Sequence, residues 1–243
     1  MTQYGIIGKP LEHSFSAEYF NQKFKLEEID ADYQLYEIDK IEQVIPLMKQ
    51  LHGFNVTYPY KQDIIPHLEC LDNVAQQIGA VNVVCQGIGY NTDWIGFKES
   101  IATHLQKHDT HALLLGTGGV SKAIQYALRQ MNITYTLVSR YNTTHTLTYE
   151  QLTEQLMAEH TIIINCTPLG MKPDIHSLPP LPYQYLNQQH ILYDCVYNPE
   201  ITAFLKQGLQ HGTRILNGLD MLYKQAEAAW QIWKRGEGLG MKV

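Results

Sequence analysis

Short apolar runs alternate with amphipathic stretches along most of the chain. The runs Tyr4–Ile7, Tyr33–Ile38, Phe54–Thr57 and Val81–Cys85 have the length and side chains of strands. A second set follows at Ala112–Leu115, Thr134–Val138, Thr161–Asn165, Ile191–Asp194 and Arg214–Leu216. Between them, Ala17–Lys25, Ile41–His52, Gly96–Gln106 and Val120–Met131 repeat apolar residues at helical spacing. Strand and helix in alternation predict parallel βαβ units and an α/β fold. The polar stretch His104–His111 separates the two sets, so a domain boundary is expected near residue 100. A last helix, roughly Asp220–Arg235, carries an apolar stripe of Leu222, Ala226, Ala229, Trp230 and Trp233. The pattern does not say which domain that stripe packs against.

One strand-to-helix junction has chemistry attached to it. In Leu113-Leu114-Leu115-Gly116-Thr117-Gly118-Gly119-Val120-Ser121-Lys122-Ala123 an apolar strand runs into a glycine turn and a helix start. Gly116 permits the tight turn, and Gly118 lets the backbone approach a pyrophosphate with no side chain in the way. The helix then presents unpaired N–H groups and a positive dipole end to that anion. Ser121 stands where the usual pattern has its third glycine. A plain strand–helix connection also uses such turns; the flanking strands favour a dinucleotide here. The next strand ends at Ser139-Arg140. A site for NAD usually has an acidic residue about 20 positions past the loop, gripping the ribose hydroxyls. Here Ser139 offers a hydroxyl to a phosphate, and Arg140 offers charge and a planar face for adenine. The expected cofactor is therefore NADP, with a solvated loop residue as the plain alternative for Arg140.

The first half holds an unusual run, Gly53-Phe54-Asn55-Val56-Thr57-Tyr58-Pro59-Tyr60-Lys61. A strand ends in polar side chains, a proline turn and a lysine, and alternation puts Asn55 and Thr57 on one face. Gly79-Ala80-Val81-Asn82 and Gly89-Tyr90-Asn91-Thr92-Asp93 likewise place amides or a carboxylate at the end of apolar segments. Ketone reduction needs a proton for the oxygen as hydride reaches the carbon. Lys61 suits that donor role, and Asp93 suits holding the ammonium or accepting a substrate hydroxyl.

Composition narrows the field. Formal net charge is −6 with no basic block, which argues against a nucleic-acid partner. No apolar run approaches the ~20 residues that span a bilayer, and Met1-Thr2-Gln3-Tyr4 does not open like a secretory signal. Cys70, Cys85, Cys166 and Cys195 are scattered, so a reduced, cytoplasmic protein is expected. His104, His108 and His111 imitate a metal spacing, but they fall in a polar domain border, and no metal is expected.

Taken in order, these motifs resemble the shikimate dehydrogenase family over nearly the whole length. They are Ile7-Gly8-Lys9-Pro10 with His13-Ser14-Phe15-Ser16, Asn55-Val56-Thr57 through Lys61, Gly79–Asn82, Asn91–Phe97 and Gly116–Ala123. Asn165-Cys166-Thr167-Pro168-Leu169-Gly170-Met171, Tyr193–Pro199, and Asn217–Leu222 with Gln225 complete the series. The resemblance implies two α/β domains facing a cleft. Residues 1–100 would form the substrate domain, with the helix of 220–243 returning to it, and 101–219 a Rossmann-like NADP domain. It implies Lys61 and Asp93 as the catalytic pair. Ser14 and Ser16 would bind a substrate carboxylate with Asn55 assisting, and Thr57, Asn82, Tyr197 and Gln225 would complete the substrate contacts. Gly116, Thr117, Gly118, Gly119 and Val120, with Ser139, Arg140 and Thr144, match cofactor segments. Thr167, Cys195, Gly218 and Met221 fall near the nicotinamide end. The implied reaction is NADPH-dependent reduction of 3-dehydroshikimate by a monomer or homodimer. Plainer roles compete: Ser14 or Ser16 as helix caps, Cys166 and Cys195 as packing residues, Tyr197 as a turn residue. Two rival functions remain, an NAD-using quinate/shikimate dehydrogenase and a non-catalytic NADP or shikimate sensor.

Overall fold

A computed structural model describes residues 1–12 and 14–239. His13 of the serine motif and residues 240–243 of the C-terminal segment lie outside the described residues. The chain forms two compact units, Met1–Thr92 with the chain from Gln225 onward, and Asp93–Lys224.

The first unit contains β1 (Thr2–Gly8), α1 (Phe15–Leu26), β2 (Ala31–Glu37), α2 (Val44–Gln50), β3 (Gly53–Val56), β4 (Cys70–Leu71), α3 (Asn73–Ile78), β5 (Val83–Cys85) and β6 (Ile88–Tyr90). Its sheet runs in the order β2-β1-β3-β5-β6-β4. It is mixed rather than wholly parallel as the alternation predicts: β5 pairs antiparallel with both β3 and β6. The cause is local. Gln86 (φ 50) and Gly87 (φ 76) form a two-residue turn with both φ positive, which joins antiparallel neighbours. The α3 helix is absent from the sequence expectation, yet its limits are chemical. Asp72 caps it, accepting from the Ala75 N–H at 2.8 Å, and Gly79 (φ 68) ends it.

The second unit contains α4 (Asp93–Ile101), β7 (His111–Leu115), α5 (Gly119–Gln130), β8 (Thr134–Val138), β9 (Thr146–Leu147), α6 (Glu154–Glu159), β10 (Ile162–Asn165), β11 (Ile191–Asp194), α7 (Ala203–Gln210) and β12 (Arg214–Leu216). Its sheet is parallel throughout, in the order β12-β11-β10-β7-β8-β9. Ala112–Leu115, Ile162–Ile164 and Ile191–Tyr193 are wholly buried, as strands covered on both faces must be. Phe97, Ile101, Ile124 and Leu128 of α4 and α5 cover one face. Met157 of α6, with Phe204 and Leu205 of α7, covers the other.

The last helix, α8, spans Leu219–Leu239. Its Ala226, Ala229, Trp230 and Trp233 enter the core of the first unit beside Tyr4, Phe20, Phe24 and Tyr33. Trp233 is fully buried, and its Nε1 donates to the Val84 carbonyl at 3.1 Å. Leu222, assigned to the same stripe, is only half-buried.

Candidate active site

In the first unit, polar residues gather at one edge of the sheet. Because β5 runs against β3 and β6, the carboxyl ends of β1, β3 and β6 and the amino end of β5 share that edge. Ser14 and Ser16 follow β1, Asn55 lies within β3, Asn82 precedes β5 and Thr92 follows β6. Asn55, Asn82 and Thr92 join Tyr33 of β2 and Gln225 in one hydrogen-bonded run. The Tyr33 hydroxyl donates to Asn55 Oδ1 at 2.7 Å. Asn55 Nδ2 donates to the Asn82 carbonyl at 3.1 Å. Asn82 Nδ2 reaches Thr92 Oγ1 at 3.0 Å and Gln225 Oε1 at 3.3 Å, and the Thr92 N–H donates to Asn82 Oδ1 at 2.7 Å. Ser16, Asn55, Asn82 and Thr92 are all buried, so each rotamer is held by its neighbours. Burial pushes the Tyr33 phenol far above its ordinary range, which keeps it a donor.

Ser14 occupies the N-cap of α1 but makes no side-chain capping bond, so the plain capping role is not the one it plays. Thr57 takes part in the turn after β3, where its carbonyl accepts from the Tyr60 N–H at 2.9 Å. Lys61 sits in the same turn. The preceding Tyr60 is buried, its hydroxyl on the Ile38 carbonyl at 2.7 Å, and the Lys61 carbonyl accepts from the Val81 N–H at 2.7 Å. The lysine's backbone is thus tied to the chain entering Asn82.

In the second unit, the predicted cofactor residues follow the carboxyl ends of strands adjacent in the sheet. Gly116–Val120 follow β7, Ser139, Arg140 and Thr144 follow β8, Thr167 follows β10, and Cys195 follows β11. Strand order reverses between β7 and β10, the crevice where open parallel sheets take ligands. Gly116 has φ +100, and a Cβ there would stand 3.1 Å from Thr167 Cγ2. A Cβ on Gly118 would meet no atom within 4 Å. Packing therefore requires glycine at 116 but not at 118, where the missing side chain leaves room for a phosphate. Those residues fit a dinucleotide. Ser139 closes a local turn, its hydroxyl on the Tyr141 carbonyl at 2.5 Å, and the Arg140 guanidinium lies 5.7 Å from the Tyr141 ring centroid. Thr144 is exposed.

A buried carboxylate ties the last strand ends together. Asp194 accepts from Thr202 Oγ1 at 2.6 Å, from Asn165 Nδ2 at 3.0 Å and from the Val196 N–H at 3.0 Å. Asn165 Oδ1 in turn accepts from Thr167 Oγ1 at 2.6 Å. Burial pushes the Asp194 carboxyl up to about 6, against the opposing pull of these bonds. Gly218 packs on the Cys195 carbonyl, with no room for a Cβ. Met221 is buried in the core with Phe97 and Tyr193. Asp93 is buried at the start of α4, and Tyr197 is half-buried; both belong to this unit, whereas Lys61 and the serines belong to the first. Tyr33, Thr92, Asn165 and Asp194 escaped the sequence reading. Thr92, Asn165 and Asp194 stood inside motifs that were noticed, whereas Tyr33 showed only as a strand residue.

No group of three or more His, Cys, Asp or Glu able to hold a metal occurs among the described residues, and no described helix is long and apolar enough to cross a membrane.

A parallel sheet of this order with a glycine turn at its switch point, joined in one chain to a unit bearing an ordered polar cluster, defines a dinucleotide-binding α/β oxidoreductase. Residues 6–84 match the family model for the shikimate dehydrogenase substrate binding domain. A shikimate dehydrogenase (NADP(+)) of Methanosphaera stadtmanae is 36% identical over 94% of this chain and 90% of its own. One from Clostridium botulinum is 34% identical over 94% and 95%. The crystal structure of the Thermus thermophilus enzyme with NADP(H) and shikimate aligns with a TM-score of 0.86 at 26% identity, covering 97% of this chain and 94% of that one. The Aquifex aeolicus structure gives 0.85 at 30%, over 97% and 93%. The chain belongs to the shikimate dehydrogenase family.

Proposed function

We propose that this chain is an NADPH-dependent shikimate dehydrogenase that reversibly reduces 3-dehydroshikimate to shikimate. It serves aromatic amino-acid (chorismate) biosynthesis in the cytoplasm, as a monomer or homodimer. The observation that carries the reading is the hydrogen-bonded run Tyr33–Asn55–Asn82–Gln225, which orders polar groups beside the Lys61 turn. Such an array suits a small acid rich in hydroxyls, because each buried donor rejects a ligand that leaves it unpaired.

Ser14 and Ser16, assisted by Asn55, donate to the substrate carboxylate and leave no room for a bulkier acid. Thr57, Asn82, Tyr197 and Gln225 orient the carboxylate and ring hydroxyls. Lys61 delivers the proton to the ketone oxygen and stabilises the developing alkoxide; Asp93 holds the ammonium and accepts a ring hydroxyl. NADPH, when bound, supplies the hydride. Gly116 to Val120 hold its pyrophosphate, Ser139, Arg140 and Thr144 its adenosine phosphate, and Thr167, Cys195, Gly218 and Met221 its nicotinamide end. The absence of an acidic residue after Val138 favours NADP over NAD.

The test is steady-state kinetics with both cofactors and with shikimate and quinate. Native protein is expected to turn over shikimate with NADP. Lys61→Ala is expected to lower kcat by about 10²–10⁴-fold with a much smaller change in KM. Near-normal turnover in that variant would remove Lys61 from the mechanism, and binding of shikimate without any NADPH signal would favour a sensor.

A further inference from the structure

Two of the four cysteines stand side by side at the end of the second sheet. The β10–β11 register ends at Asn165↔Asp194, so the next pair along these strands is Cys166 and Cys195. The ladder continues past that point, since the Cys195 N–H donates to the Asn165 carbonyl at 3.0 Å. Neighbouring strands lie about 4.7–4.9 Å apart, inside the Cα separation of about 4.4–6.8 Å that a disulfide spans. The sulfurs are 3.8 Å apart. Closing them to a bond of ~2.05 Å takes a movement of less than ~2 Å, shared between two side chains. The bond from Asn165 to Asp194 holds the two strand ends in this register. Both cysteines are half-buried rather than sealed in the core.

We propose that Cys166 and Cys195 form an oxidation site, converted by a small hydroperoxide into a disulfide that slows the enzyme reversibly. The hydrogen bond to Cys166 and burial push the Cys195 thiol up, so Cys195 keeps its proton and Cys166 is the attacking sulfur. With hydrogen peroxide, the Cys166 sulfur attacks one oxygen, the O–O bond breaks, and the departing hydroxide takes the Cys166 thiol proton, so a sulfenic acid and one water result. The Cys195 sulfur then attacks the sulfenic sulfur. The S–O bond breaks, and hydroxide departs with the Cys195 proton as a second water. The two sulfurs lose two electrons, and the peroxide gains them.

The effect on rate rests on the functional reading above, in which Thr167 and Cys195 border the nicotinamide. Thr167 follows Cys166 directly, and the Gly218 backbone is packed on the Cys195 carbonyl, so drawing the sulfurs together moves both segments. A shift near 1 Å at a reacting centre costs about a hundredfold in rate.

The experiment treats native enzyme with hydrogen peroxide, maps disulfides by non-reducing peptide mass spectrometry, and follows shikimate oxidation and NADPH binding. A Cys166–Cys195 link lighter by two hydrogens is expected. The rate should fall by about tenfold to a hundredfold and return with dithiothreitol. Cys166→Ala, or Cys166→Ser if alanine folds poorly, should keep its untreated rate and resist peroxide. The proposal is overturned if both thiols stay reduced, if the link involves Cys70 or Cys85, if the linked enzyme keeps its rate, or if the Cys166 variants are inactivated like the native enzyme. Untreated native enzyme without turnover would count against the dehydrogenase reading alone; peptide mapping would still decide whether the site exists.

Discussion

At the scale of single residues, two buried groups are informative because burial turns small chemical changes into large costs. Tyr33 donates to Asn55 from a fully buried position, and its hydroxyl is the only part phenylalanine lacks. Tyr33→Phe leaves a buried amide oxygen short of a donor, so a loss of about 1–3 kcal/mol is expected from urea unfolding. In the assay it should raise KM for shikimate more than it lowers kcat, because Asn55 loses its anchor while Lys61 is untouched. Asp194 gives a pH signature. Its folded pKa, about 6, exceeds the ordinary value of 3.8, so the folded state binds this proton more tightly than the unfolded chain does. The contribution to stability is present below 3.8 and is lost as pH rises through about 6. The difference in unfolding midpoint between native protein and Asp194→Asn should therefore change across that window and flatten above it. A difference that does not vary with pH would show that Asp194 titrates normally.

Among elements, the glycine turn after β7 separates what the fold needs from what the ligand needs. Gly116 has a positive φ and faces Thr167, whereas Gly118 borders open space. Gly116→Ala should lower stability by about 1–3 kcal/mol and weaken NADPH binding as well. Gly118→Ala should leave the melting temperature unchanged and weaken NADPH binding alone. Calorimetry and fluorescence titration of the two variants would distinguish them, and equal loss of stability in both would refute the division. The long strands and α5 were legible in sequence because buried parallel strands read as continuous apolar runs and α5 shows a full helical stripe. The missed elements, β4, β6, β9, α3, α6 and α7, are short, and several span only two or three residues. That is less than one period-two pattern requires, so their limits come from caps and turns instead. The hairpin at Gln86-Gly87 is of this kind, and it reverses the chain between β5 and β6.

For the molecule as a whole, the first unit borrows part of its core from the far end of the chain. Trp233 is fully buried, lies in ring contact with Tyr4 and Phe20, and occupies the space a side chain on Gly53 would need. Trp233→Ala should cost about 3–5 kcal/mol in denaturant unfolding. A chain ending at Lys224 should lose cooperative unfolding of the first unit; retention of it would show that α8 is dispensable there. The amphipathic stripe of that helix was plain from residue spacing, but its destination was not, because spacing defines a face and says nothing of the partner. The same limit applied to the site. Residue order and type determined the α/β class, the phosphate turn, the lack of an acid after Val138 and the cluster of polar motifs. Each of these is a local property of chain chemistry. Only the tertiary structure decided that Tyr33 meets Asn55, that Asp194 binds three donors, and that Cys166 meets Cys195. Those meetings depend on strand order and register, which are set by which apolar faces bury one another and are written in no single segment.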